Sequence, residues 1–528
     1  MRRSKTRSIP VVFLLAALLA LPAAVAYGQS DEQILALVEK NRQDAEELAI
    51  KQSEMGWGTW VEGKTSDQAS LYREYTHLYT KDAIEATRRA EALEKDPAQK
   101  KALDFFRLYQ EVEYIGNQTA LLYDIYMDLE ASLWVNIDGK SVPYRELDGI
   151  LSNEADPKKR AVYSKEEYKV YDILNKVVLD RDLATSHRLA KELGHPSYTD
   201  LAVAYKMFDL GELAGQCELF LKNTEAAYLD LFDRVSPISR SEFRRSDTLF
   251  VLAAKDQDKH FTGERMMPLL RGFLAGLGID LDSQENLRVD DRDIDTKVPR
   301  AVCFSVRIPE DIRLSIKPIG GKDDYSSLFH EMGHGQHFAN TKTPIWEFQE
   351  LGSNAVTEGY AYLFEYMPEN PLWIEDNLSM PAADKAKYLE HCRFAKLYML
   401  RRYMAKFLYE VKLHSGSDVP RKDYQRLLSR GYGYQLNWEE ASRYLSDVDA
   451  FLYSADYVQA FFLEAMLKKK LEQSFGKKWW KNTEAGDYLK SLWAYGNELS
   501  GRELAAMIGY PDGIDAKVLT ADLGVEIQ

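Results

Sequence analysis

Apolar residues recur at three- and four-residue spacing along most of the chain, with charged residues filling the positions between them. From Asp31 to about Asp290 this pattern predicts helix almost throughout, as over residues 83–93 and 168–193. Gly194-His195-Pro196 and Ser236-Pro237 supply stops between helices. No fixed period and no low-complexity tract is present, so a solenoid is not favoured. The texture changes once, between about Pro299 and Lys317. Val302, Phe304, Val306 and Ile308 alternate with Cys303, Ser305 and Arg307. After Pro309-Glu310-Asp311, Ile312, Leu314 and Ile316 alternate with Arg313 and Ser315. Alternation on both sides of a short turn predicts an antiparallel hairpin. Such a hairpin either packs on the helices or offers an edge to which a peptide adds itself as a further strand.

Gly320-Gly321 ends the sheet region, and Asp323 or Asp324 is the expected cap of a helix running to about Ala339. A second helix is expected over residues 354–366, closed by Pro368. Helical texture then resumes, with turns near Gly416, Gly431 and Gly476. The expected fold is mainly α, with one small antiparallel sheet just before the second helical stretch.

Composition narrows the class. The chain has 528 residues, 45% apolar and 29% charged, which suits a globular protein with a large core. Its net charge of -15 argues against nucleic acid or anionic lipid as partners. Arg2, Arg3, Lys5 and Arg7 form a basic start before an apolar run interrupted by Pro10 and Pro22 and ending at Ala24-Val25-Ala26. This is the pattern of a signal peptide over about residues 1–26, and it predicts a periplasmic or secreted protein with no stable membrane insertion once the leader is removed. Cys217, Cys303 and Cys392 form no C-x-x-C pair, so a disulfide framework is not expected, although one bridge is possible.

The chemistry is concentrated in His330-Glu331-Met332-Gly333-His334. Two histidines four residues apart on a helix project from one face and can offer neutral imidazole nitrogens to a single zinc ion. Glu331, one step round the helix, is placed to act as general base on a water beside that ion. A metzincin would carry Gly at position 337 and His at 340, where this chain has His337 and Asn340. The third ligand is therefore sought among Glu347, Glu350, Glu358 and Glu365. Glu358 stands among Ala355, Val356, Gly359, Ala361 and Leu363, where a carboxylate is costly to bury without a cation. Glu365 either supports a ligand histidine from behind or is an ordinary solvated carboxylate. His337 is expected to pack, since two histidines, a glutamate and a water already fill a catalytic zinc site.

These residues resemble the gluzincin group that joins the angiotensin-converting enzyme family with the thimet oligopeptidase and oligoendopeptidase F family. The resemblance rests on Phe329-His-Glu-Met-Gly-His334, on Glu358 at 24 residues beyond His334, and on the run Glu358-Gly-Tyr-Ala-Tyr-Leu-Phe-Glu365. Weaker echoes are the segment from Leu193 to Leu201 and Pro299-Arg-Ala-Val-Cys303. The resemblance implies a two-lobed, zincin-like ellipsoid around a deep central channel, with residues 27–528 as one catalytic unit, interleaved lobes and a zinc-binding core at about 299–368. It implies Zn2+ as cofactor and short or unfolded peptides as substrates. It also implies a tyrosine that stabilises the oxyanion, best matched by Tyr457 and next by Tyr453 in Phe451-Leu-Tyr-Ser-Ala-Asp-Tyr457. The chain departs from the converting-enzyme pattern in having Phe304 after the strand cysteine and no His between Ser446 and Tyr453. These departures favour a general oligopeptidase over a peptidyl-dipeptidase. A non-catalytic peptide-binding protein on the same scaffold is a further alternative, against which the intact Glu331 argues.

Overall fold

Ser30 opens the first helix, α1 (Asp31–Glu62), by exchanging hydrogen bonds with Gln33, which satisfies two backbone donors at once. The structure is a computed structural model that describes residues 29–253 and 255–525. The expected leader lies outside these residues. Asp96, followed by Pro97 in the first turn, starts α2 (Pro97–Ser132). Phe105, Phe106, Leu108, Val112 and Ile115 bury one face of its first half, while Leu121 and Tyr123 in its second half are exposed.

The expectation of helix up to Asp290 fails just after α2. There, β1 (Trp134–Ile137) and β2 (Lys140–Pro143) pair antiparallel. Asp138 and Gly139 both have positive φ, at 52° and 79°, as a tight hairpin turn requires. Residues 168–193 do form helix, but with a π turn over Asn175–Leu179 between Pro157–Leu174 and Asp180–Glu192.

The hairpin expected after Pro299 is present as β4 (Val302–Arg307) and β5 (Asp311–Ser315), antiparallel to each other; β3 (Leu287–Asp290) adds parallel to β5. The order β3-β5-β4 leaves β4 at an edge. Ile312 and Leu314 bury the inner face of β5 completely.

The helix α3 (Lys322–Ala339) follows, and its N-cap is Gly321 rather than Asp323 or Asp324. Gly321 has φ 95°, a conformation that favours glycine, and both aspartates fall in the first turn, where carboxylates suit the positive end of the helix dipole. Ser353 caps α4 (Asn354–Glu365). Then come α5 (Ala382–His414), α6 (Pro420–Tyr432) and α7 (Tyr453–Phe475). The turn expected near Gly431 is made by Gly433, while Gly431 sits inside α6 facing the Arg401 carbonyl of α5.

One large apolar core gathers residues of α3, α4, α5 and α7, and smaller clusters serve the N-terminal helices. All three cysteines are free. No helix among the described residues is long and apolar enough to cross a membrane.

Candidate metal centre

One turn of α3 places His330 and His334 side by side, with their Nε2 atoms 3.2 Å apart. The third donor comes from α4, which lies against α3. At Gly333, between the two histidines, an added Cβ would lie 2.5 Å from Ala361 Cα and 2.8 Å from the Tyr360 carbonyl oxygen. The two helices therefore meet backbone to backbone, and Glu358 Oε2 comes within 3.5 Å of His330 Nε2 and 3.9 Å of His334 Nε2. A tetrahedral zinc ion with bonds near 2.0–2.1 Å holds its ligand atoms roughly 3.3 Å apart. The three donors fit that spacing. Among the described residues, this is the one group of three His, Cys, Asp or Glu side chains whose ligand atoms converge.

The surroundings fit a cation as well. Glu358 Oε2 is buried and has no hydrogen-bond partner. Its other oxygen accepts from the Tyr453 hydroxyl at 3.1 Å. His330 Nδ1 lies 2.7 Å from Glu365 Oε2, which can only accept while ionised, so Nδ1 carries a proton, and in the neutral imidazole that metal binding requires Nε2 is the nitrogen with its lone pair toward the centre. His334 Nδ1 is 2.7 Å from Thr357 Oγ1, which can hold the same tautomer. Burial raises Glu358 to about 7 and pushes His334 well below the usual imidazole range. At His330 burial acts downward, but the hydrogen bond and charge of Glu365 outweigh it and raise the imidazole to about 9. A buried carboxylate with one oxygen unpartnered is costly unless positive charge meets it.

Glu331 points to β4, where its Oε2 accepts from the Cys303 backbone N–H at 2.8 Å. Burial raises this carboxyl above its ordinary value. His330 and Glu331 open onto a cavity of about 370 Å³ that Tyr403, Tyr457 and Phe461 also line. Tyr457 thus faces the same space, while Tyr453 is the tyrosine that touches the ligand set. Their rings are 5.0 Å apart, nearly perpendicular.

The remaining glutamates and His337 lie elsewhere. Glu347 pairs with Arg42 of α1, and Glu350 takes no part in the cluster. His337 is fully buried, with Nε2 3.1 Å from the Gly496 carbonyl, which is a packing role. Phe304 packs edge-on against Trp57 of α1, with ring centroids 5.9 Å apart.

Sequence reasoning missed the groups that hold this frame. Thr357, next to Glu358, fixes His334, and its position directly before the glutamate was the available signal. Asp456, fully buried, accepts from Ser353 Oγ at 3.2 Å and from Lys206, so it ties the start of α4 to α7. The Lys206 ammonium lies 4.7 Å from the centroid of the Tyr453 ring. Lys206 is distant in sequence, and nothing in its local pattern marks it. The chain matches no known family model, and no curated protein matches it significantly.

Proposed function

We propose that this protein is a zinc-dependent metallopeptidase that hydrolyses short or unfolded peptides. The observation that carries the reading is the convergence of His330 Nε2, His334 Nε2 and Glu358 Oε2 at zinc-ligand spacing, with Glu331 directly beside them. The resemblance to the gluzincin oligopeptidases supports the same ligand set, and with it a two-lobed, zincin-like architecture around a channel. The leader pattern supports an exported enzyme.

His330, His334 and Glu358 would hold the ion, with Glu365, Thr357 and Tyr453 orienting them. When bound there, zinc supplies Lewis acidity that makes a neighbouring water more acidic and polarises a substrate carbonyl. Glu331, held to Cys303 N–H through Oε2, offers Oε1 to take the proton of the attacking water and pass it to the leaving amine. The Tyr457 hydroxyl donates to the carbonyl oxygen as it gains charge. β4 ends the sheet beside Glu331, and a peptide bound along it would use the backbone groups that Glu331 and Ser53 leave open.

The test is digestion of a short-peptide library followed by mass spectrometry, together with measurement of bound zinc. Wild type should hold about one zinc per chain and cut peptide bonds, and chelation should abolish cutting. Glu331→Gln should keep the metal and lose turnover by at least roughly a hundredfold. Zinc-loaded wild type that leaves the whole library intact would sink the proposal.

A further inference from the structure

The cavity beside His330 and Glu331 carries three cations on its wall, Arg300, Lys322 and Lys396. Two are already committed. Lys322 lies 3.1 Å from Glu369, and Lys396 lies 3.2 Å from Glu464. The exposed Arg300 guanidinium has no carboxylate partner among the described residues. It shares the cavity wall with Glu331 and Tyr457. The Arg300 backbone is fixed, because its carbonyl accepts from Trp60 Nε1 of α1 at 3.2 Å.

Position along the strand gives this cation a direction. Arg300 stands just before β4, the edge strand. The Cys303 N–H turns away from β5 to Glu331, and the Ser305 carbonyl, on the same side, accepts from Ser53 Oγ at 3.1 Å. Both groups are thus already taken, and a peptide following this edge past Glu331 would bind through the backbone groups that remain. If it runs antiparallel to β4, its C-terminal end travels toward the start of the strand. A guanidinium there binds carboxylate by paired, charge-assisted hydrogen bonds and does not bind an amine. In that antiparallel sense Arg300 stands on the leaving-group side of the scissile bond, while Arg307, the last residue of β4, is a second exposed cation at the opposite end.

We propose that Arg300 anchors a substrate carboxylate on the leaving-group side of the scissile bond, which makes it the specificity residue of the peptidase proposed above. The carboxylate belongs to the peptide's C-terminus or to an acidic side chain close to it. The C-terminal case gives release of short fragments from the carboxy end of a peptide, and the side-chain case gives cleavage before acidic residues.

Zinc-loaded Glu331→Gln protein allows binding to be read without turnover. Three probes are titrated by calorimetry: N-acetyl-Phe-Ala-Phe-Ala with a free carboxyl end, its C-terminal amide, and N-acetyl-Phe-Ala-Asp-Ala amide. At least one carboxylate-bearing probe should bind about tenfold or more tighter than the neutral amide. Adding Arg300→Gln should bring that ratio close to one, and Arg300→Lys should keep part of it. Which probe shows the preference assigns the source of the carboxylate. Equal affinities for all three probes, no binding of any, or a preference that survives Arg300→Gln would each overturn the assignment. Wild type that cleaves no peptide would overturn the peptidase reading alone, since the binding ratios are measured independently of turnover.

Discussion

Gly333 and Ala361 meet so closely that a Cβ on the glycine would stand 2.5 Å from the Ala361 Cα. That contact sets the distance between α3, which carries both histidines, and α4, which carries Glu358. Backbone atoms cannot swing aside as a flexible side-chain end can, so Gly333→Ala must push the helices apart. Overpacking of this kind typically costs about 1–3 kcal/mol. The expected outcome is a lower melting temperature together with weaker zinc binding, because Glu358 moves away from the imidazoles. Thermal melts and chelator competition would check this, and unchanged values in both would show that the helices do not meet in this way.

Glu365 hydrogen-bonds the non-ligating nitrogen of His330, and Thr357 does the same for His334. Removing such a partner leaves the ligand in place but loosens its orientation and tautomer. Glu365→Gln and Thr357→Val should each weaken zinc binding by roughly 10–100-fold while the fold is kept. Competition against a metal indicator, with circular dichroism on the same samples, separates loss of metal from loss of structure. Zinc affinity equal to wild type in both variants would remove these residues from the frame.

The His330–His334 pair was legible because helix geometry alone brings residues four apart onto one face. Glu358 was legible because a carboxylate among small apolar neighbours needs a reason to be there. The β4–β5 hairpin showed through strict alternation, whereas β3 spans only Leu287–Asp290 and pairs with a strand well downstream. The Asp138-Gly139 turn between Val135-Asn136-Ile137 and Val142 was a readable signal, masked by the long helical texture on either side. The choice between Asp323, Asp324 and Gly321 as cap depended on φ at the glycine, which side-chain preference does not reveal. Thr357, Asp456 and Lys206 belong to the site through packing of distant segments, and local periodicity carries no information about that.

Lys206 and Asp456 form a pair sealed from solvent, at 3% and 0% exposure. Breaking one side of such a pair leaves the other charge buried without compensation. Lys206→Met should destabilise the protein by about 3–5 kcal/mol, and Lys206→Met with Asp456→Asn should recover much of that loss. Denaturant unfolding of wild type, both single variants and the double variant gives the coupling directly. Strictly additive effects would show that the pair does not act as a unit.

Glu350 gives a pH dependence with a defined sign. Burial, with a smaller effect from the Glu46 charge, raises its carboxyl to about 8. A group raised on folding favours the native state fully below its unfolded value, near 4.3, and loses that contribution as pH rises through 8. Wild type should therefore lose stability relative to Glu350→Gln between about pH 4.5 and 8, by up to roughly 1.4 kcal/mol per pH unit, and the difference should level off above that range. Urea unfolding of both proteins at pH 5, 7 and 9 measures it. The variant carries the same buried neighbours without a titrating proton, so every other carboxylate cancels in the comparison. A difference that stays flat across the three pH values would mean that Glu350 keeps an ordinary carboxylate pKa in the folded protein.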